Sequence, residues 1–250
     1  MKVGLYVVLT AGLLAGSVSV VNATIFTGSA TGSWGTVNSV GVNPPDLFDI
    51  ENNDDGALLT DSALFWWGDP LTGTQWDSGS TRNEFIFNGI GSDGNLGVMD
   101  TAWNAPFLLA DFWYTNGEAY YAEGVLGVEL DIDFFIQETG DTFTLTNSFD
   151  ITNTVNDPGP VDDIVTLNGT ATSKTFFYDS RAYRLDILGF STNLGQTIAT
   201  DFSSPENSTN YAGLYGQITE VPVPEPATIM LFGTGLAGLL FGRRNKKNKV

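Results

Sequence analysis

The chain has 250 residues, with 29 Asp and Glu against 10 Lys and Arg, a formal charge of −19, and neither Cys nor His. This excludes disulfides, thiolate or imidazole zinc sites, cysteine nucleophiles and any triad built on histidine. It also argues against nucleic acid as a partner, because phosphate binding begins with Lys and Arg.

At the N-terminus, Met1–Ala23 places Lys2 before an apolar centre from Val3 to Val21 and ends in Val21-Asn22-Ala23. That layout predicts a secretory signal peptide, helical in its apolar centre and removed by signal peptidase after Ala23. All 29 acidic residues lie between Thr24 and Pro226, where only Arg82, Lys174, Arg181 and Arg184 oppose them. Cations are the natural ionic partners of such a stretch; keeping an exported protein soluble is the plainer use of the charge.

Residues 24–220 read as one all-β ectodomain. Val128, Leu130, Ile132, Phe134 and Ile136 alternate with Glu129, Asp131 and Asp133, and Phe143 to Ile151 alternates with Thr, Ser and Asp. Two period-two segments joined by Gln137-Glu138-Thr139-Gly140-Asp141 predict an antiparallel hairpin with one face buried. Shorter strands are expected at 163–167, 175–178, 182–188 and 214–220. No amphipathic helix intervenes, so the expected architecture is an antiparallel two-sheet sandwich, jelly-roll-like.

Three groups in this domain carry chemistry. Asp157, Asp162 and Asp163, around Pro158-Gly159-Pro160, and a second cluster, Asn52-Asn53-Asp54-Asp55-Gly56, supply oxygens of the kind calcium takes, although neither has the spacing of an EF-hand loop. The same residues are also ordinary turn formers. Trp66, Trp67, Trp113 and Tyr114, with Trp76, Trp103, Tyr120 and Tyr121, offer flat rings for the apolar side of a sugar, or large side chains for a sandwich core. Glu129, Asp131 and Asp133 share one strand face; a glycosidase needs two carboxylates, but a solvated row on an outer sheet face explains them more simply. The expectation is a protein that is not an enzyme.

The C-terminus has three parts: a Pro-rich linker, 221–226, with Pro224-Glu225-Pro226; an uncharged stretch, 227–242; and a basic tail, 243–250, with Arg243, Arg244, Lys246 and Lys247. The stretch is slightly shorter than the roughly 20 residues of a membrane helix, and snorkelling arginines make it adequate. Its glycines suit a bilayer better than water. The tail predicts a cytoplasmic C-terminus, so the precursor is expected to be anchored in the inner membrane with its ectodomain outside.

This order of tripeptide, span and basic end resembles the PEP-CTERM sorting signal of Gram-negative bacteria that make extracellular polysaccharide. The resemblance implies an exosortase-type processing enzyme as partner, with Pro224, Glu225 and Pro226 as its recognition element. The ectodomain resembles the THxN family of PEP-CTERM proteins, close to choice-of-anchor K, through Thr31-Gly32-Ser33-Trp34-Gly35, Ala105–Leu109, Phe149–Thr154, Asp162–Leu167, Tyr183–Phe190 and Leu214–Thr219. The naming motif departs: Trp113-Tyr114-Thr115-Asn116-Gly117 lacks the His and keeps only an expected Asn-Gly turn. The function expected is a non-catalytic structural or adhesive role at the cell surface or in an exopolysaccharide matrix. The alternatives are a carbohydrate- or calcium-binding module and, more weakly, a carboxylate-based glycoside hydrolase.

Overall fold

A computed structural model describes residues 24–43, 48–52, 63–68, 82–91, 99–102, 104–117, 123–154, 161–168 and 172–222. All regular structure in these residues is β. The strands are β1 (Ile25–Asn43), β2 (Phe48–Asn52), β3 (Ala63–Trp67), β4 (Asn83–Gly89), β5 (Met99–Ala102), β6 (Pro106–Asn116), β7 (Glu123–Ile136), β8 (Asp141–Asn153), β9 (Asp163–Asn168), β10 (Ser173–Tyr178), β11 (Arg181–Ser191), β12 (Asp201–Ser204) and β13 (Ser208–Val221). They form two antiparallel sheets, ordered β12-β9-β8-β7-β1-β5 and β10-β11-β13-β6-β4-β3-β2. The expected sandwich is therefore present. Crossings between the sheets alternate with two meanders, β2-β3-β4 and β7-β8-β9. The expected signal and membrane helices lie outside the described residues.

The hairpin β7–β8 follows directly from its period-two sequence, and its ladder runs from Gly124↔Asn153 to Ile136↔Asp141. Inward-facing Val128, Leu130, Ile132, Phe134, Leu145, Phe149 and Ile151 are all buried, as alternation requires when one face meets a second sheet. β1 is less obvious: its sequence, IFTGSATGSWGTVNSVGVN, is rich in Gly, Ser and Thr. It is a strand because the edge of β7 is available along almost its full length, from Gly28↔Ile136 to Asn43↔Glu123, with register shifts after Trp34 and Val40.

Between the sheets the core is aromatic. Phe112 on β6 lies 4.8 Å from Phe85, 5.3 Å from Phe87, 5.5 Å from Phe149 and 5.5 Å from Phe190 between ring centroids. Tilted and edge-on pairs at these separations add to the stabilisation from area burial alone. Trp34 reaches from the six-stranded sheet to the other, packs 4.9 Å from Phe85 and donates its indole N–H to the Ala63 carbonyl at 2.9 Å.

Candidate functional site

At one end of the sandwich, polar side chains from both sheets meet inside the protein. Tyr114 has no exposed surface; its hydroxyl donates to Asp163 Oδ2 at 2.7 Å. The other carboxylate oxygen, Oδ1, accepts from the Thr154 amide at 2.8 Å and from Thr154 Oγ1 at 3.0 Å. Trp67 Nε1 donates to Asn153 Oδ1 at 3.1 Å, and Asn116 Nδ2 donates to the Ser204 carbonyl at 2.9 Å. Asn83 Oδ1 accepts from the Gly117 amide at 2.6 Å. Tyr114, Trp67, Asn83 and Asn116 come from the seven-stranded sheet; Asp163, Asn153 and Ser204 come from the six-stranded one. The network thus fastens the sheets together at this end.

Burial dominates the titration of this end. It pushes the Asp163 carboxyl above its ordinary value despite the opposing hydrogen bonds from Tyr114 and Thr154, and the neighbouring Asp162 charge adds to the rise. Burial, followed by the charges of Asp163 and Glu206, pushes the Tyr114 hydroxyl well above its ordinary range.

The structure therefore brings together residues that sequence reasoning had put in separate sites. Trp67, Tyr114 and Asp163 share one inter-sheet network, with the Trp67 and Tyr114 rings stacked 5.6 Å apart. A ring with no accessible surface has no face to offer a ligand, and both oxygens of Asp163 are engaged by protein donors. Asp162 is exposed beside it, and Asp157 lies outside the described residues. Among the described residues no three acidic side chains converge as a metal site would need. Of the second acidic cluster only Asn52 is described, and its amide brackets the Trp34 backbone, accepting from N at 2.8 Å and donating to O at 3.0 Å.

Asn116 ends strand β6, paired with Ser208. Neither Asn116 nor Gly117 has the positive φ that the expected Asn-Gly turn takes, and the residues that follow, 118–122, lie outside the described ones.

Trp66 and Trp113 face outward on the seven-stranded sheet. The Arg82 guanidinium covers Trp66 at 4.7 Å and also binds Glu84 at 2.8 Å. Trp113 meets Tyr211 edge-on at 5.4 Å, and Tyr211 is 59% exposed. On the opposite side of the sandwich, the row on β7 is embedded among hydroxyls. Thr146 donates to Asp131 at 2.5 Å and Thr144 to Asp133 at 2.5 Å, which accounts for these carboxylates as part of a hydrated outer face.

One polar group on the outer aromatic face escaped sequence reasoning. Asn88 on β4 pairs with Asp111 on β6, and Asp111 pairs with Gly213 on β13. The signal was a single acidic residue inside the aromatic strand PFLLADFWYTN.

Residues 222–247 match the PEP-CTERM protein-sorting motif. No curated protein matches the chain. The matched segment contains Pro224, Glu225, Pro226 and the bases Arg243, Arg244, Lys246 and Lys247, and it begins where β13 ends. It supports an exported precursor sorted by exosortase-type processing to the cell surface. Among the described residues no helix is long and apolar enough to cross a membrane; the expected span, 227–242, lies outside them.

Proposed function

We propose that the mature ectodomain is a non-catalytic structural or adhesive component of the cell surface or an exopolysaccharide matrix. One observation carries this reading: the sorting motif continues directly from β13, an interior strand with β11 on one side and β6 on the other. A tether leaving from such a strand loads two hydrogen-bonded ladders in shear, whereas an edge strand offers only one. β13 is bonded from Ser208↔Asn116 to Ala182↔Val221, so the domain can bear force between the cell and whatever it grips. The THxN-like stretches of the ectodomain and the hydroxyl-lined carboxylate row are in keeping with a non-catalytic role.

The test is processing. Wild-type chain should lose its signal peptide and the apolar C-terminal stretch and stay attached at the cell surface through the linker after β13, while Glu225→Ala should leave a full C-terminus in the inner-membrane fraction, read by intact mass and fractionation. A Glu225→Ala chain processed like wild type would refute the assignment of Pro224-Glu225-Pro226. A surface protein whose deletion leaves matrix cohesion unchanged would refute the adhesive role.

A further inference from the structure

We propose that two copies of this chain associate through the open edge of β10, the two β10 strands pairing antiparallel about a twofold axis and joining the seven-stranded sheets into one. Such pairing is independent of the sorting and adhesive roles proposed above.

β10 ends the seven-stranded sheet, with β11 on one side and no strand on the other among the described residues. Asp179 and Ser180 connect it to β11, and both have positive φ, 47° and 62°. They make a two-residue type I′ turn, in which the flanking Tyr178 and Arg181 are the hydrogen-bonded pair. Alternation then commits the N–H and C=O groups of Tyr178, Phe176 and Lys174 to β11 and turns those of Ser173, Thr175 and Phe177 to the open side. Other open edges are blunted by side chains. On β2 the Ile50 amide donates to Asp49 Oδ1 at 2.8 Å, and on β8 the Leu145 carbonyl accepts from Asn147 Nδ2 at 3.2 Å. Among the described residues no side chain caps β10 in this way, and a bare edge is a template for another strand.

The edge is open to a partner. A groove of about 640 Å³ lies between it and the start of β8, lined by Asp141, Thr142, Thr144, Lys174, Thr175 and Phe177. Phe177, beside the unpaired backbone, is 69% exposed.

Charge selects a second copy as the occupant. Of the four bases in residues 24–226, Lys174, Arg181 and Arg184 lie on β10 and β11, with only Asp179 and Asp186 against them between Ser173 and Ser191. This hairpin is therefore where two strongly acidic domains approach with least repulsion. Arg82, Arg181 and Arg184 are engaged by Glu84, Glu220 and Asp186, whereas Lys174 has no ion pair among the described residues. Lys174 stands near the start of β10, and Asp179 just past its end. A twofold axis at Phe176 sets Thr175 of each copy opposite Phe177 of the other, each such pair exchanging both its N–H···O bonds, and brings each Lys174 beside Tyr178 and Asp179 of the other copy. Parallel pairing would instead set Lys174 against Lys174 and Asp179 against Asp179.

The test uses the full-length chain purified in detergent, its mass read by sedimentation equilibrium. The chain has no Cys, so a Thr175→Cys/Phe177→Cys variant carries its only thiols. In the proposed register these face each other across a hydrogen-bonded pair, whose Cα atoms sit about 5.5 Å apart, within disulfide range. Wild type is expected to be a dimer, and the cysteine variant to give a disulfide-linked dimer on oxidation. Thr175→Pro removes an N–H on the open side without touching the β11 ladder, and should give a folded monomer. Lys174→Glu, at an exposed position, should weaken association about tenfold or more with an unchanged near-UV spectrum, since each dimer turns two attractive pairs into repulsive ones. The proposal is overturned if wild type stays a monomer up to about 1 mM, the weak end of the affinity scale, whether or not alginate, as a polysaccharide, gives heat with it. It is also overturned if the cysteines fail to cross-link the copies, or if Thr175→Pro or Lys174→Glu dimerises like wild type, which would put the contact elsewhere, as in the apolar C-terminal stretch. Mass and cross-linking do not involve sorting, so a failed Glu225→Ala experiment leaves them unaffected.

Discussion

The inter-sheet network makes a quantitative prediction for Tyr114→Phe. The substitution keeps the ring that stacks on Trp67 and deletes only the hydroxyl that donates to Asp163 Oδ2 at 2.7 Å. A hydrogen bond to a charged acceptor contributes about 1.5–3 kcal/mol, and here the acceptor is buried and keeps only its two Thr154 bonds, both on Oδ1. The expected loss at neutral pH is therefore about 2 kcal/mol, or about 4–8 °C in Tm for a domain of this size. Its pH dependence follows from Asp163, whose folded pKa stands above the ordinary 3.8. The folded chain then holds the proton more tightly than the unfolded one, so the group's contribution is greatest below 3.8 and falls as pH rises through the folded value. Removing the Tyr114 hydroxyl removes a bond that lowers this pKa, so the folded value climbs further and the variant loses more at high pH than at low. Urea denaturation of wild type and Tyr114→Phe at about pH 3, below the ordinary value, and at about pH 7.5 measures the difference directly. A loss below about 0.5 kcal/mol at pH 7.5, or the same loss at both pH values, would refute the assignment of Asp163 as the buried acceptor.

Phe112→Ala, at the centre of the aromatic core, should cost about 3–5 kcal/mol and lower the Tm by about 6–20 °C in a thermal melt. Trp67→Phe should cost about 1–3 kcal/mol in urea denaturation, because Asn153 Oδ1 would be left with only the 3.5 Å contact from Asn83 Nδ2. Calcium at about 5 mM, above the affinities typical of extracellular calcium modules, should leave the Tm unchanged while both oxygens of Asp163 are engaged. A rise of several degrees would mean that calcium draws Asp163 out of the network.

The legibility of the fold varied along the chain for identifiable reasons. From Val128 to Ile151 the two faces of the hairpin meet different solvents, core and water, and the period of two records it. In β3, ALFWW, nearly every residue is buried, so no alternation survives to be read. In β1 the small residues look like a loop, and the strand is imposed by the ladder of β7. The chemistry shows the same division. Trp113 was legible as a large ring for a surface or a core, and only the fold turned it outward; Asn88 and Asp111, 23 positions apart in the chain, become neighbours only because β4 pairs with β6.

The sequence by itself determined the all-β class and the sorting segment at the C-terminus, because alternation and the order of Pro-Glu-Pro, apolar stretch and bases are local patterns. It also determined the narrow chemistry left to a chain without Cys or His. Only the tertiary structure decided that Tyr114 and Asp163 serve one buried network instead of two separate sites, and that the Asn88 carboxamide and the Asp111 carboxylate, which no base pairs among the described residues, stand side by side on the outer sheet. Those outcomes depend on which strands pair and how much water each side chain keeps, and cross-strand register and burial are set by contacts between residues distant in the chain.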